Sequence, residues 1–232
     1  MASNIIRNLH TNNNTASDAI CAWVSEGTGQ SVVFTSIDLF SNSISLYSIN
    51  YTGRPQTHVS IVICTYGRPE SLNDTLTSLS QQTYRDFEVL LITEKGNLAE
   101  LRQKGLVAST GRIVSFIDDD VYCPPTWLQG VVDSFREGIL GGSGPTIITE
   151  EYQKNRDCLK YKKLRHLQEW LFKVPVEPGR LSVCGAPSMA SNFEGCKYEG
   201  EVEYLECCNM SVKRDDAINV RGFDSNYTGT GK

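Results

Sequence analysis

Three short apolar runs, separated by segments with helical periodicity, constrain the fold of this chain more than any other feature. The runs cover residues 59–64, 88–92 and 112–117. Between them, apolar and small residues recur at helical spacing in segments 72–79 and 98–108. Strands joined by helices of this length form a parallel sheet with right-handed crossovers. We therefore predict an α/β fold with a doubly wound, mainly parallel, Rossmann-like sheet and helices on both faces.

The ends of several helices carry their own sequence signals. Pro69 suits the first turn of a helix, and Gly111 is expected to end the second helix. Pro124 and Pro125 introduce a third helix over residues 127–135. The later segments predict an amphipathic helix at 158–172, a loop region at 179–200, a strand at 202–206 and a short helix at 213–220.

Residues 1–57 differ from the rest of the chain and are predicted to form an N-terminal extension. The extension begins with a polar run that indicates a loop or partial disorder. Residues 31–35 and 44–49 have strand character, and the second segment alternates apolar and polar residues as a half-buried strand does. With residues 38–43 as a candidate turn, the extension is expected to add an edge hairpin or cap.

The third apolar run leads directly into three consecutive carboxylates, Asp118, Asp119 and Asp120. Adjacent negative charges repel one another, and a hard divalent cation with oxygen ligands is a natural partner for them. Because alternate residues of an extended chain point the same way, Asp118 and Asp120 are predicted to converge on one site. Open α/β sheets bind their ligands at this end of the strands.

Composition and charge exclude some classes of function. The formal net charge of −5 and the pI of about 5.3 argue against general nucleic-acid binding. The N-terminus lacks the apolar run of a signal peptide, and no segment approaches the roughly 20 apolar residues of a membrane span. We therefore expect a cytoplasmic location, with the eight cysteines as free thiols. Lysines in segment 158–172 leave peripheral membrane contact as an alternative to an ordinary solvated helix.

The segment after the first run and one arginine suit an anionic ligand. Residues 64–70 include small side chains and precede a helix N-terminus, which favours anions. Arg102 lies on the second predicted helix, where its guanidinium is a candidate phosphate donor. A surface salt bridge is the alternative role for Arg102.

Several motifs in a fixed order resemble glycosyltransferase family 2. They occupy residues 59–69, 102–105, 110–112, 116–120, 127–128, 208–214 and 222–224. The resemblance covers roughly residues 58–231 and implies a GT-A fold for a domain spanning 58–232. It also implies transfer of a sugar from a nucleotide-diphosphate sugar to an acceptor hydroxyl, with inversion at the anomeric carbon and with Mn²⁺ or Mg²⁺ as cofactor.

The resemblance assigns roles by position. It implies that Asp120 holds the cation against the diphosphate, with Asp118 as a second ligand near the ribose or uracil, so that a UDP-sugar is the favoured donor. The acceptor is expected to be a glycan, a lipid or another hydroxyl compound. The residues assigned to the nucleotide sugar are Thr65, Tyr66, Arg68, Glu94, Arg102, Asp118 and Asp119.

Two departures from the family pattern affect these assignments. Members of the family have an Asp after the second strand, where this chain has Thr93 and then Glu94. The family's Glu-Asp pair, which supplies the catalytic base, is expected beyond Lys232, so the sequence is interpreted as a C-terminally truncated piece of a longer protein. Asp224 and Glu206 are the nearest remaining carboxylates, and Asp224 is a weak candidate for the base.

Two other functions remain open at this point. The chain is alternatively a catalytically incomplete nucleotide-sugar-binding module, for which the missing base is the sequence argument. Sugar nucleotidyltransferases also place carboxylates and Mg²⁺ at strand ends. The first strand, however, lacks the glycine-rich, lysine-containing loop that would grip a triphosphate.

Overall fold

The fold was described from a computed structural model of the 232-residue chain. The structure describes the backbone of residues 33–36 and 46–50, and residues 57–144, 167, 170–171, 178–183, 185 and 198–226. The chain divides into two compact units, residues 1–141 with 211–232 and residues 142–210. The candidate site described below lies in the first unit.

Within the described residues, seven strands form one sheet in the order β1-β2-β4-β3-β5-β7-β6. Strands β3, β4 and β5 are the three apolar runs, and β4 and β5 both pair with β3 in parallel. Every residue of β4 and β5 is buried, as expected of central parallel strands. The strand bounds are β1 Val33–Ser36, β2 Leu46–Asn50, β3 Val59–Cys64, β4 Phe87–Ile92, β5 Ile113–Ile117, β6 Gly141–Ser143 and β7 Asn209–Lys213.

The helices cover both faces of the parallel strands, so the predicted Rossmann-like α/β architecture is confirmed. One face packs Ile61 and Ile63 against α1, through Leu76 and Leu79. On the other face, Gly105 of α2 lies directly over Val62. Alternate residues of β3 therefore belong to different cores, because successive strand side chains point to opposite faces. The helix bounds are α1 Pro69–Ser80, α2 Leu98–Ala108, α3 Trp127–Ser134 and α4 Arg214–Asn219.

Helix α2 begins as its sequence predicts but ends earlier than expected. Asn97 caps the helix, since its side chain accepts a hydrogen bond from the Ala99 backbone N–H at 2.9 Å. The helix stops at Ala108, so the prediction that Gly111 ends it was wrong. Gly111 instead packs against the backbone of Ser60, where a Cβ atom would lie 2.6 Å from the Ser60 nitrogen.

The two strands predicted in the N-terminal extension are confirmed, each shifted by one or two residues. Strand β1 pairs with β2 in antiparallel fashion, and β2 pairs antiparallel with β4. The extension therefore contributes strands to the side of the sheet beyond β4. The predicted turn at residues 38–43 and the polar run near the N-terminus lie outside the described residues.

The late elements differ in part from the sequence prediction. The strand predicted at 202–206 is wrong: the Glu203 N–H donates to the Gly179 carbonyl at 2.7 Å, and the Glu206 N–H donates to Ser143 Oγ at 2.7 Å. The N–H groups of Glu203 and Glu206 are therefore bonded to a loop carbonyl and to a side chain. They do not form the regular backbone hydrogen bonds by which a strand pairs with its neighbour. The strand forms instead at β7, and α4 lies within the predicted helix at 213–220.

Only parts of the predicted segments 158–172 and 179–200 fall among the described residues. Leu167, Trp170 and Leu171 are helical, in agreement with the amphipathic helix. All three side chains are exposed, Trp170 by 76%. In the part of the chain that is described, no helix combines the length and apolar character that crossing a bilayer requires.

Candidate nucleotide-sugar site

The carboxyl ends of β3, β4 and β5 lie side by side, because all three strands run in parallel. In the register of the sheet, Ile63 is aligned with both Leu91 and Ile117. The segments that follow these strands contain most of the predicted site residues. These residues converge at one sheet edge because the strands are parallel. Open α/β sheets bind their ligands at this edge, outside the carboxyl ends of the strands.

The turn after β3 brings an arginine to this edge. The Thr65 N–H donates to the Ile92 carbonyl at 2.9 Å, which extends the ladder one residue beyond the strand. Tyr66 is exposed, and Gly67 adopts a φ of +70°, which only glycine adopts easily. Helix α1 then begins at Pro69, with Arg68 as its N-cap residue. The side chain of Arg68 is about half exposed.

Arg68 joins two of the three consecutive aspartates. Its Nη1 atom donates to Asp120 Oδ2 at 3.0 Å, and its Nη2 atom forms an ion pair with Asp119 Oδ1. Asp119 is fully buried, and neither of its carboxylate oxygens has a hydrogen bond of good geometry to a described residue. Burial leaves Asp119 no water to neutralise its charge, so the adjacent guanidinium of Arg68 serves as its counter-charge.

Asp118 has a different partner. Arg102 Nη2 of α2 lies 3.5 Å from Asp118 Oδ1, and the arginine side chain is only 15% exposed. Burial raises the pKa of the Asp118 carboxyl above its usual range, and the nearby Arg102 opposes that rise. The charges of Asp120 and Asp119 raise the pKa further. Negative charge at this strand end is therefore only partly offset by the two arginines.

The carboxylates at this strand end are candidate oxygen ligands for a divalent cation. Among the described residues, no group of three or more His, Cys, Asp or Glu side chains is arranged to hold a metal ion. Mg²⁺ at nucleotide sites, however, usually takes one or two carboxylates and completes its shell with substrate phosphates and water. Asp118 and Asp120 are partly exposed oxygen donors of this kind, and their mutual repulsion would be relieved by a cation. The donor set fits a cation bound together with a diphosphate.

Glu94 lies at the same sheet edge, two residues beyond β4, and forms a hydrogen-bonded ion pair with a lysine. Lys104 Nζ donates to Glu94 Oε1 at 2.6 Å and lies 3.4 Å from Glu100 Oε1. Burial of Lys104 opposes its charged form, but the bond to Glu94 and the charge of both glutamates outweigh this effect and raise its pKa. The role of Glu94 toward a nucleotide stays a prediction.

Asp224, the weak candidate for the base, lies in a turn after α4. Its Oδ1 atom accepts hydrogen bonds from the Asn226 N–H at 2.9 Å and from Asn226 Nδ2 at 3.0 Å. The preceding residue packs on the acidic strand, since the Phe223 ring contacts Phe116 in a T-shaped arrangement with centroids 5.0 Å apart. This packing places the segment 222–224 against β5, while a catalytic role for Asp224 stays a prediction.

Sequence reasoning missed two features of this region. It assigned Arg68 to the nucleoside and did not foresee its contact with Asp119. It also overlooked a cleft of about 470 Å³ beside the acidic strand end, lined by Ser71, Asp74, Thr77, Ser78, Gln81, Asp120, Val121 and Tyr122. A signal for the cleft was available, because polar residues recur along α1 at helical spacing.

Comparison with known proteins supports a relationship to glycosyltransferases. The family profile described as Glycosyl transferase family 2 matches residues 91–185. The chain is 26% identical over 203 residues to the glucosyl-dolichyl phosphate glucuronosyltransferase of Haloferax volcanii, covering 72% of this chain and 56% of that protein. It is 25% identical over 199 residues to the amylovoran biosynthesis glycosyltransferase AmsB of Erwinia amylovora, covering 72% of this chain and 59% of that protein. The chain thus spans little more than half the length of these relatives.

Two solved structures show weaker likeness. The mannosyltransferase PcManGT from Pyrobaculum calidifontis, in complex with GDP-Man and Mn²⁺, is 14% identical with a TM-score of 0.43, covering 74% of this chain and 48% of that chain. TarS residues 1–349 of S. aureus are 16% identical with a TM-score of 0.29, covering 33% and 31%. Likeness at this level carries no inference about ligands.

The matched segment 91–185 includes Arg102 and all three aspartates of the acidic strand end. It therefore covers residues that the structure brings together at the carboxyl edge of the Rossmann-like sheet. The family match, the two curated relatives and this fold show that the chain is similar to glycosyltransferase family 2.

Proposed function

We propose that this chain binds a nucleotide-diphosphate sugar and a divalent cation, and acts in transfer of the sugar to an acceptor hydroxyl with inversion. The observation that carries the proposal is the group of Asp118, Asp119 and Asp120 at the end of a central parallel strand, with Arg68 and Arg102 beside them. A site with both carboxylates and guanidinium groups suits a ligand set that itself contains a cation and phosphates. UDP is the favoured nucleotide.

In this proposal the arginines and aspartates have separate tasks. Asp120 and Asp118 would hold Mn²⁺ or Mg²⁺, and the bound cation would stabilise the negative charge of the leaving nucleoside diphosphate as a Lewis acid. Arg102 is largely buried, so its guanidinium is held in place before a phosphate binds. Thr65, Tyr66 and Arg68 would line the nucleoside side of the site, and the exposed Tyr66 ring offers a surface for the base.

The acceptor is proposed to be a glycan, a lipid or another hydroxyl compound. Exposed Leu167, Trp170 and Leu171 favour peripheral contact with a membrane surface, since aromatic and aliphatic side chains beside lysines suit the interface of a bilayer. Peripheral binding at a cytoplasmic surface would give access to a lipid-linked acceptor.

A second candidate function is a nucleotide-sugar-binding module that does not itself transfer sugar. It is supported by the contacts of Asp224, the weak candidate for the base, because its Oδ1 atom already accepts two hydrogen bonds from Asn226. Both functions use the same donor site, but only the transferase would transfer the sugar and release the nucleoside diphosphate. Measuring release of nucleoside diphosphate from the bound donor therefore separates them.

The test is calorimetric titration of UDP, GDP and dTDP into the protein, with and without Mn²⁺. We expect one nucleotide, UDP, to bind tightly only with the metal. Asp120→Ala should abolish the metal-dependent part of this binding and leave the circular dichroism spectrum unchanged, because the Asp120 side chain is half exposed. Asp133→Ala on α3 removes an exposed acid outside the site and is the matched control.

Unchanged metal-dependent UDP binding in Asp120→Ala would refute the assignment of Asp120. Absence of binding for all three nucleotides would refute the donor site. Release of pyrophosphate from a nucleoside triphosphate and a sugar phosphate would instead indicate a sugar nucleotidyltransferase.

A further inference from the structure

Arg68 occupies a position that is unfavourable for a basic residue. It is the N-cap residue of α1, immediately before Pro69. N-cap positions favour Ser, Thr, Asp or Asn, and the helix dipole makes this end of a helix positive. The Arg68 side chain makes no capping hydrogen bond, and its charge adds to the positive end of α1. The helix therefore does not explain an arginine here, and the contacts of its side chain with the aspartates do.

The two aspartates that contact Arg68 bind it in different environments. Asp119 is fully buried and forms an ion pair with Nη2, so no water can replace this partner. The Asp120 side chain is 53% exposed and accepts a hydrogen bond from Nη1 at 3.0 Å. An exposed carboxylate exchanges a guanidinium for another partner at little cost, whereas a buried one does not. The bond to Asp120 is thus the one that can open while Arg68 stays paired with Asp119.

The second arginine of the site is held more tightly. Arg102 Nη2 lies 3.5 Å from Asp118 Oδ1, and its side chain is 15% exposed. The Arg68 side chain is 53% exposed, so fewer neighbours confine it. Of the two guanidinium groups, only that of Arg68 combines a hydrogen bond to a proposed cation ligand with freedom to change partner.

The charges at this strand end make single ligands unfavourable. Three carboxylates and two guanidinium groups lie together, so one negative charge is in excess. Binding of a divalent cation alone would turn this excess positive and would place two positive groups against Asp120, where they repel. Binding of a diphosphate with the cation would restore the balance. Arg68 therefore competes with a cation for Asp120, and a diphosphate relieves the competition.

We propose that Arg68 couples cation binding to diphosphate binding. It would exchange Asp120 for a phosphate of the donor while it remains paired with Asp119, so that Asp120 is released to the cation only when the diphosphate is present. Each ligand then strengthens the binding of the other by the same factor, as linkage requires. The inference rests on the proposed function, because Asp120 is a cation ligand only if this edge binds the donor.

The experiment measures the dissociation constant of Mn²⁺ with and without UDP. Electron paramagnetic resonance reports free Mn²⁺ in both titrations, and Mn²⁺ bound by free UDP is subtracted. Arg68→Gln should bind Mn²⁺ about tenfold tighter without UDP, because one charge-assisted competing bond is removed. The ratio of the two constants should fall about tenfold. Arg85→Gln makes the same charge change at an exposed residue away from the aspartates and should leave both constants unchanged.

Arg68→Lys separates the shared contact from the charge alone, and it keeps a counter-charge for Asp119 if Arg68→Gln unfolds. Lysine lacks the planar fork of donors, so its ammonium group should stay with the buried Asp119 and release Asp120. This variant should therefore also bind Mn²⁺ more tightly without UDP, by about threefold or more. Mn²⁺ affinity equal to that of the unsubstituted chain would mean that only the charge of Arg68 matters, and would overturn the exchange.

The failure of this inference is distinguishable from failure of the proposed function. If the unsubstituted chain binds UDP with Mn²⁺, and both Arg68 variants have its Mn²⁺ affinity without UDP, the coupling is overturned and the donor site stands. If the unsubstituted chain binds neither UDP nor Mn²⁺, the donor site and the coupling are both overturned.

Discussion

The guanidinium of Arg68 forms an ion pair with the fully buried carboxylate of Asp119, and so connects the ends of two adjacent parallel strands. The same side chain also donates to Asp120 at 3.0 Å. Arg68 therefore supplies part of the positive charge that three consecutive aspartates require. The contact links the stability of the strand end to the residues that are proposed to bind the donor.

Removal of Arg68 should destabilise the fold through Asp119. We expect Arg68→Ala to lower the free energy of unfolding by about 2 kcal/mol, because it leaves a buried carboxylate without its counter-charge, although the half-exposed arginine lets water reach the gap. Adding Asp119→Asn to this variant should restore more than half of the loss. Urea denaturation of both single variants and the double variant measures the coupling.

Arg85→Ala serves as the control, since Arg85 is exposed and donates to the Ser80 carbonyl away from the aspartates. Its effect should stay within about 0.5 kcal/mol. Strictly additive effects of Arg68→Ala and Asp119→Asn would mean that the two charges do not interact.

Arg102 is expected to affect donor binding more than stability. Arg102→Gln should weaken Mn²⁺-dependent UDP binding about tenfold, the effect of losing one charge-assisted hydrogen bond to a phosphate. The variant should be compared with Arg85→Gln by calorimetry. Equal UDP affinity in the two variants would leave Arg102 as a structural partner of Asp118 only.

Glu88 is a buried carboxylate at the amino end of the parallel strands, away from the proposed donor site. Its removal should lower the stability of the fold and leave donor binding unchanged. Glu88 Oε1 accepts hydrogen bonds from Ser60 Oγ at 2.6 Å, Thr110 Oγ1 at 2.7 Å and the Thr110 N–H at 2.9 Å. Glu88→Ala should lower the free energy of unfolding by about 3 kcal/mol, because these buried donors lose their acceptor.

Glu100→Ala removes an exposed glutamate from α2 and should cost no more than about 0.5 kcal/mol. The Glu88→Ala variant should bind UDP with the affinity of the unsubstituted chain, if binding is measured at a temperature where the variant is still folded. A stability loss no larger than that of Glu100→Ala would contradict the role assigned to this buried cluster.

Two glycines in helices should respond to alanine in opposite directions. A Cβ atom at Gly105 would overlap the stiff side chain of Val62, so Gly105→Ala should destabilise the protein by about 2 kcal/mol. Gly130 on α3 has no atom within 4 Å of a Cβ position, and Gly130→Ala should stabilise the helix by about 0.7 kcal/mol. Thermal unfolding compares both variants, and stabilisation by Gly105→Ala would show that α2 is not packed closely on β3.

The thiols of Cys64 and Cys123 should resist alkylation in the folded protein. Cys123 is buried and Cys64 is half-buried, and this burial raises the pKa of both thiols from 9.0 to about 12. For Cys64, the nearby Arg102 opposes the rise only in part. The thiolate is the reactive form, so at pH 8 its fraction is about a thousandfold lower than for an ordinary cysteine. Iodoacetamide followed by peptide mass analysis should label both residues only after denaturation, and rapid labelling of either one in the native protein would contradict this burial.

The order of strands and helices from residue 59 to residue 135 was predictable because it depends on local periodicity. Apolar runs of five or six residues indicated β3, β4 and β5, and leucines at helical spacing indicated α1. The same local reading located Asp118 at a strand end. The helix end at Gly111 and the strand at 202–206 were mispredicted, since both outcomes depend on contacts with residues distant in the chain.

By itself, then, the sequence determined which segments are strands and helices in the β-α-β region, and that three carboxylates follow a buried strand, because these properties follow from neighbours a few residues away. Only the tertiary structure decided that Arg68 contacts Asp119, that Ser60 and Thr110 contact Glu88, and that Tyr122 lines one cleft together with residues of α1. Each of these contacts joins residues that lie more than 20 positions apart. Their partners are selected by how the strands align and the helices pack, which no local pattern encodes.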